Sequence, residues 1–339
     1  AKVDVNNLHL FLKQLYDQYM SKNDNGVKYI SNIRYLTETS DIQKVENLLD
    51  GFLQSKRQNG RVALNLPLEY IKDGITVKGY IIGDNEYKEL SKTILDMYNT
   101  ITLLKETQVT IEFDDESNNS LKLKLFSCVY AELEEDNYCF IISDGNIYQV
   151  TKSYLEKVNQ FYSSIDIAKI PELKRWHGEP EGKFNACCDS KTILVMDKVL
   201  IHPEGSGKFE FCDLLTYSKQ IIHAKIYDGA SQPLGHLFNQ GLVSVMGITD
   251  EDIRSEIQSQ IYKQQRDCEK SMDFSIGNPF KASDYTIVFL ILCRNGDAIV
   301  EQRPQIPFLA KSIFRENVTK IQSMGFKVEI LGIGIENRE

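Results

Sequence analysis

Apolar residues change their spacing several times along this chain, and each change marks an element. In the first half they recur every three or four positions over 6–21, 41–55 and 86–101, which predicts three amphipathic helices. RVALNLPLEYI (61–71), VKGYIIG (77–83), VTIEF (109–113), LKLKLFSCVYAEL (121–133) and YCFIIS (138–143) read as strands. Asp144–Gly145 ahead of IYQVT is a hairpin signal, and 153–165 returns to helical spacing. The expectation for 1–168 is an α+β domain serving recognition, regulation or dimerisation.

Pro171, Gly178, Pro180 and Gly182 punctuate 167–183 and place a boundary there. Beyond it, a short helix at 181–188 precedes strands at 193–201, 208–216 and 220–227. Helices follow at 234–247 and 250–267. YTIVFLILC (285–293) is almost wholly apolar, the pattern of a central strand covered on both faces. A helix at 310–326 and a strand at 327–335 complete the chain. This order predicts an α/β domain over 169–339, with a mixed sheet flanked by helices.

With 339 residues, 42% of them hydrophobic, the chain is long enough for two cores. It has no apolar run long enough to span a bilayer, so no membrane partner is expected. Its seven cysteines are odd in number and form no CxxC, which fits reduced thiols in the cytoplasm. The net charge of −9 counts against sequence-independent coating of nucleic acid, and leaves room for a nuclease with local basic groups.

The chemistry concentrates in KFEFCDLLT and QIIHAKIY. Side chains alternate along a strand, so His223 and Lys225 share a face with Ile221 and Tyr227. By the same alternation Asp213 shares a face with Phe209 and Phe211, and Glu210 points the other way. Antiparallel pairing would gather a carboxylate, an imidazole and an ammonium at one sheet end. Such a set suits phosphodiester hydrolysis: a carboxylate holds a divalent cation, and a lysine stabilises developing charge. Lys311 and Arg315, one helical turn apart, are candidates for a stripe facing DNA.

The order of strand Asp, hairpin and strand His-x-Lys resembles the PD-(D/E)xK restriction-endonuclease superfamily across 181–241. HAKIY is similar to the QxKRY variant of Mrr-type restriction enzymes. More widely, YCFIISDGNIYQV, DKVLIHPEG, FEFCDLL, LGHLFNQGLVS and PFLAKSIFRENVTKIQSMGFKVEI resemble an uncharacterised, sporadically distributed bacterial family. The resemblance implies a restriction-endonuclease-like C-terminal domain and a Mg2+- or Mn2+-dependent DNA nuclease acting in defence against foreign DNA. A homodimer is one expected assembly. Carried over residue by residue, Asp213 becomes the metal-binding acid and Lys225 the catalytic lysine. Glu181 becomes an accessory metal-site acid, Ala224 a ligand through its carbonyl, and Gln240 a phosphate contact. His223 stands where the superfamily has an acid, so the expected site has Asp213 as its sole strand carboxylate and holds Mg2+ weakly. A rival expectation is a non-catalytic nucleic-acid-binding or scaffold module that keeps the nuclease-like fold.

Overall fold

The computed structural model describes residues 32–55, 60–64, 75–77, 80–82, 94–112, 120–202, 207–227, 232–294 and 299–336. The helix expected over 6–21 lies outside the described residues, as do parts of 61–71 and 86–101. The first half's strands are β1 (Ile33–Tyr35), β2 (Gly60–Leu64), β3 (Ile75–Val77), β4 (Tyr80–Ile82) and β5 (Gln108–Glu112). β6 (Ser120–Lys124), β7 (Val129–Glu135), β8 (Tyr138–Ser143) and β9 (Asn146–Thr151) follow. They form two antiparallel sheets, ordered β1-β9-β8-β7-β2 and β4-β3-β5-β6. α1 (Thr39–Ser55) and α2 (Ile101–Glu106) share a core with both. Asp144 and Gly145 both have positive φ, as a two-residue hairpin between β8 and β9 favours. The stretch 121–133 is two strands, not one, because a 3-10 turn at Leu125–Cys128 interrupts it.

α3 (Lys152–Ser164) leads into the second half, whose sheet starts at β10 (Asp166–Ile167). α4 (Glu181–Cys187), β11 (Ile193–Val195), β12 (Leu200–Ile201), β13 (Phe209–Glu210), β14 (Leu214–Thr216) and β15 (Gln220–Tyr227) come next. α5 (Gln232–Thr249), α6 (Glu251–Asp267), β16 (Thr286–Cys293), β17 (Ile299–Val300), β18 (Arg303–Pro304), α7 (Phe308–Ser323) and β19 (Lys327–Gly334) complete it. The six-stranded sheet runs β10-β19-β16-β15-β14-β11. β10, β19, β16 and β15 are mutually parallel neighbours, and β14 and β11 add antiparallel to the β15 side. The fold is therefore α/β with a mixed sheet flanked by helices. β16 sits in the middle with every residue from Ile287 to Cys293 buried, as its unbroken apolar run requires.

Alternation along β15 sorts the sheet into two faces. Ile221 and Tyr227 join Ile287, Phe289 and Ile291 under α5, α6 and α7. Ile222 and Ala224 join Val288, Leu290 and Leu331 under Phe184 of α4 and Trp176. The two halves also share apolar contacts. On α3, Val158 packs with β7 and β8 residues, while Tyr162 meets Phe314 of α7 edge-on at 5.4 Å.

The expected strands 193–201 and 208–216 are each broken in two. β11 and β12 are separated by a turn at Asp197–Lys198, where Lys198 has φ +64°. β13 pairs with β12 in a small sheet of its own, and residues 211–213 carry the chain across to β14.

α5 lies close on β16 because Gly241 has no side chain. A Cβ there would meet two ring carbons of Phe289 at 2.6 Å. That ring is held by Phe238 and Phe314, with centroids at 5.2 and 5.7 Å, and cannot step aside. Gly to Ala gains about 1 kcal/mol in helix propensity, but overpacking a core costs about 1–3 kcal/mol. Gly241→Ala is expected to lower the denaturant midpoint; an unchanged or raised midpoint would show that α5 can back away.

Candidate functional site

Strand β15 outruns its neighbour β14, and the site is built on the length that β14 does not pair. Pairing ends at Leu214 opposite Ile222, with a last backbone bond from Asp213 N–H to the Ile222 carbonyl at 3.0 Å. The next N–H groups on that edge belong to Ala224 and Ile226, and each needs an acceptor. Side chains supply them. Asp213 Oδ2 accepts from Ala224 N at 2.8 Å, and Glu181 Oε2 accepts from Ile226 N at 3.0 Å. In a strand a residue's N–H and C=O point to the same edge, so Ala224's carbonyl is directed to the side where these carboxylates stand.

More carboxylates converge here. Asp197, Glu210 and Asp213 each offer an oxygen, and these oxygens lie within 4.8 Å of one another. Asp197 comes from the β11–β12 turn and rests against the first turn of α4, since a Cβ on Gly182 would stand 3.3 Å from Asp197 Oδ2. Lys225 Nζ lies 3.7 Å from Glu181 Oε2. Asp213 is 8% exposed, and its carboxyl is pushed up to about 7. Burial is the main cause; the Ala224 N–H opposes it, and the negative charges of Glu181, Asp197 and Glu210 add to it. Glu210 is also raised, first by burial and then by Asp197, against the pull of Lys198, His236 and Lys225. Asn185 of α4 donates to Asp213 Oδ1 at 3.4 Å, while its own buried Oδ1 has no hydrogen-bond partner among the described residues.

The expectation of a single strand carboxylate is corrected. Glu210 does not point away from Asp213, because the alternation that assigned it so does not run through the break at 211–213. Asp197 is not legible in the sequence, because a lone acid in a turn carries no periodic signal. Glu210 had one available signal, for Phe211 and Cys212 are consecutive apolar residues where strict alternation requires a polar one, and both are buried.

The other expected residues fall in different places. His223 is buried on the face under α5, its ring 6.4 Å from Phe289, with Nε2 lacking a hydrogen-bond partner among the described residues. Burial alone lowers its pKa to about 3, so it is a neutral imidazole. Gln240 is half-buried on α5, one turn after His236. Lys311 is turned inward: Nζ donates to Asn159 Oδ1 of α3 at 2.9 Å and lies 5.4 Å from the Tyr162 ring. Arg315 lies over the rings of Tyr154 and Phe161, also on α3. The pair expected to form a stripe facing DNA therefore packs on a neighbouring helix.

Every ligand atom the cluster offers is oxygen: three carboxylates and, along the same edge, the Ala224 carbonyl. Such a set fits a hard divalent cation. Burial raises Asp213 and Glu210 first, and the neighbouring carboxylates add to it; a bound cation would offset that added negative charge.

A protein-family model matches residues 1–334, and its description is a family of unknown function, DUF6119. The chain belongs to this family. No curated protein and no solved structure matches it. The DUF6119 match agrees with the expected membership of an uncharacterised family and says nothing of an activity. Among the described residues of this DUF6119 chain, no helix is long and apolar enough to cross a membrane.

The raised pKa of Asp213 makes a stability prediction for metal-free protein. Its folded value of about 7 lies above the ordinary carboxylate value of about 4. The fold is therefore penalised at high pH, and the penalty disappears as pH falls through 7 toward 4. Asp213→Asn keeps an acceptor for Ala224 N–H, and once the Asn185 amide turns over, its own amide can donate to Asn185 Oδ1. It is expected to raise the denaturation midpoint at pH 8, with the difference shrinking as pH falls. A variant less stable than the parent at pH 8 would show that Asp213 is held for structure.

Proposed function

We propose that this protein is a divalent-metal-dependent nuclease that hydrolyses phosphodiester bonds of DNA in the cytoplasm, in defence against foreign DNA. The observation that supports this most is the convergence of Asp197, Glu210 and Asp213 within 4.8 Å at the β15 edge, where Lys225 pairs with Glu181. The resemblance of the Asp, hairpin and His-x-Lys order to the PD-(D/E)xK enzymes favours the same reading. The cysteines favour a reducing compartment, since all seven are free thiols.

When bound, Mg2+ or Mn2+ would neutralise the phosphate and lower the pKa of a ligated water. Asp213, Glu210 and Asp197 would hold it, with the Ala224 carbonyl on the same edge. Glu181 ties two things to the site: it accepts from Ile226 N–H and pairs with Lys225. That leaves the Lys225 ammonium beside the carboxylates, where it can stabilise charge developing on a phosphate oxygen. His223 is assigned no contact with the phosphate: it is neutral, buried, and packed near Phe289. Asp213 must be ionised to bind a cation, so metal affinity is expected to rise with pH through about 7.

The test is plasmid cleavage in Mg2+ and in Mn2+ by the parent, Lys225→Ala, Asp213→Asn and Glu210→Gln. The parent is expected to cut. Each variant is expected to lose at least about a hundredfold in rate, the scale for removing a group that stabilises transition-state charge. A parent that binds DNA and leaves it intact with both ions would favour the non-catalytic module instead.

A further inference from the structure

A second site stands apart from the carboxylates, at the carboxyl end of β19. There the chain at 168–176 crosses the sheet and leaves a cavity of about 250 Å³ against Leu331, Ile333 and Gly334. Its apolar wall is completed by Ile170 and Leu173, with the buried Trp176 beside them. Its charged rim is Lys169, Lys174, Arg175 and Glu336. Three cations face one carboxylate, and that carboxylate is held by Arg175 at 3.0 Å in a pair exposed to water. An exposed pair of this kind contributes little and yields readily to a competing anion. The rim is therefore set for a ligand with negative charge, and the wall for an apolar or aromatic body.

A polar reader is also present. Gln302 lines the cavity, and its backbone is fixed with φ +62° and a 2.7 Å bond from Gly332 N–H to its carbonyl oxygen. Its carboxamide carries both a donor and an acceptor. The location is where open α/β sheets take ligands, outside the carboxyl ends of parallel strands. Register places it relative to the first site: Leu331 pairs with Leu290, which pairs with Ala224. The cavity floor thus lies on the Ala224 side of the sheet, two strands away, or about 10 Å.

We infer that this cavity binds a nucleoside phosphate, with the phosphate on Lys169, Lys174 and Arg175 and the base against the apolar wall. At about 250 Å³ it is below the usual range for drug-sized ligands of about 300–1,000 Å³, which suits one nucleotide unit and not a duplex. The unit is either a free mononucleotide or the phosphorylated end of a single strand. The inference does not depend on metal at the carboxylates, and its test is run in EDTA.

Trp176 is the single tryptophan of the chain and lines the cavity, so its fluorescence reports occupancy. The probes are AMP, CMP, a short 5′-phosphorylated oligonucleotide, adenosine and inorganic phosphate, each titrated by fluorescence and by calorimetry. A mononucleotide or the oligonucleotide is expected to bind saturably, at least about tenfold tighter than adenosine or phosphate alone. Tighter binding of the oligonucleotide assigns the site to a strand end; tighter binding of AMP or CMP assigns it to a free nucleotide. The Lys174→Glu, Arg175→Glu double variant, at two exposed positions, is expected to weaken binding at least about tenfold. No saturable binding by either method, or binding untouched by the charge reversal, would overturn the inference.

Discussion

The constraint on which the site depends is the unpaired edge of one strand. β15 lies beside β16 along its whole length, while β14 pairs with it only as far as Leu214 opposite Ile222. Buried N–H groups must find acceptors, and here two carboxylates take the place of a strand. Asp213 and Glu181 are drawn to the edge by Ala224 and Ile226, two residues apart. Once there, they bring charge with them. The turn at Asp197 and the small β12–β13 sheet then deliver two further acids to the same place. A backbone requirement thus gathers negative charge in a buried place, where Lys225 pairs with one of the acids; burial first, and the neighbouring acids after it, raise the pKa of Asp213.

Lys225 is placed by the same edge, and its setting reaches into the first half. β15 ends at Tyr227, whose hydroxyl accepts from Arg61 of β2 at 2.6 Å; Arg61 also donates to the Gln305 carbonyl at 3.2 Å. Glu132 of β7 accepts from the Phe308 N–H at the start of α7. With α3 packed on both halves, the first half supports the strand that carries the candidate chemistry.

Much of this was legible in the sequence where hydrophobic period is set by a long element. β15, β16, β19 and helices α5 to α7 follow their spacing, because each buries a whole face or both faces. Asp213 and Lys225 stand out in the sequence as charge set within apolar runs, and in the fold both meet the carboxylates at the β15 edge. Legibility failed where strands are two or three residues long. Alternation over 208–216 assumed one strand, and a crossing at 211–213 reset the phase, turning Glu210 toward Asp213. Strand alternation groups His223 with the site because it shares a strand face with Lys225. The strand turns that side chain into the aromatic core, where Phe289 and not a carboxylate is its neighbour. Lys311 and Arg315 show helical spacing that is the same for a solvated face and a packed one; only the position of α3 separates the two.

The central claim is that the acids gathered on the β15 edge hold one divalent cation. Anomalous scattering from Mn2+-soaked crystals tests it most directly. The account predicts a single strong peak within ligand distance, about 2.0–2.6 Å, of Asp213 and at least one of Glu210 and Asp197, on the side of the Ala224 carbonyl. Crystals that take up Mn2+ elsewhere and show no peak among these carboxylates would contradict it.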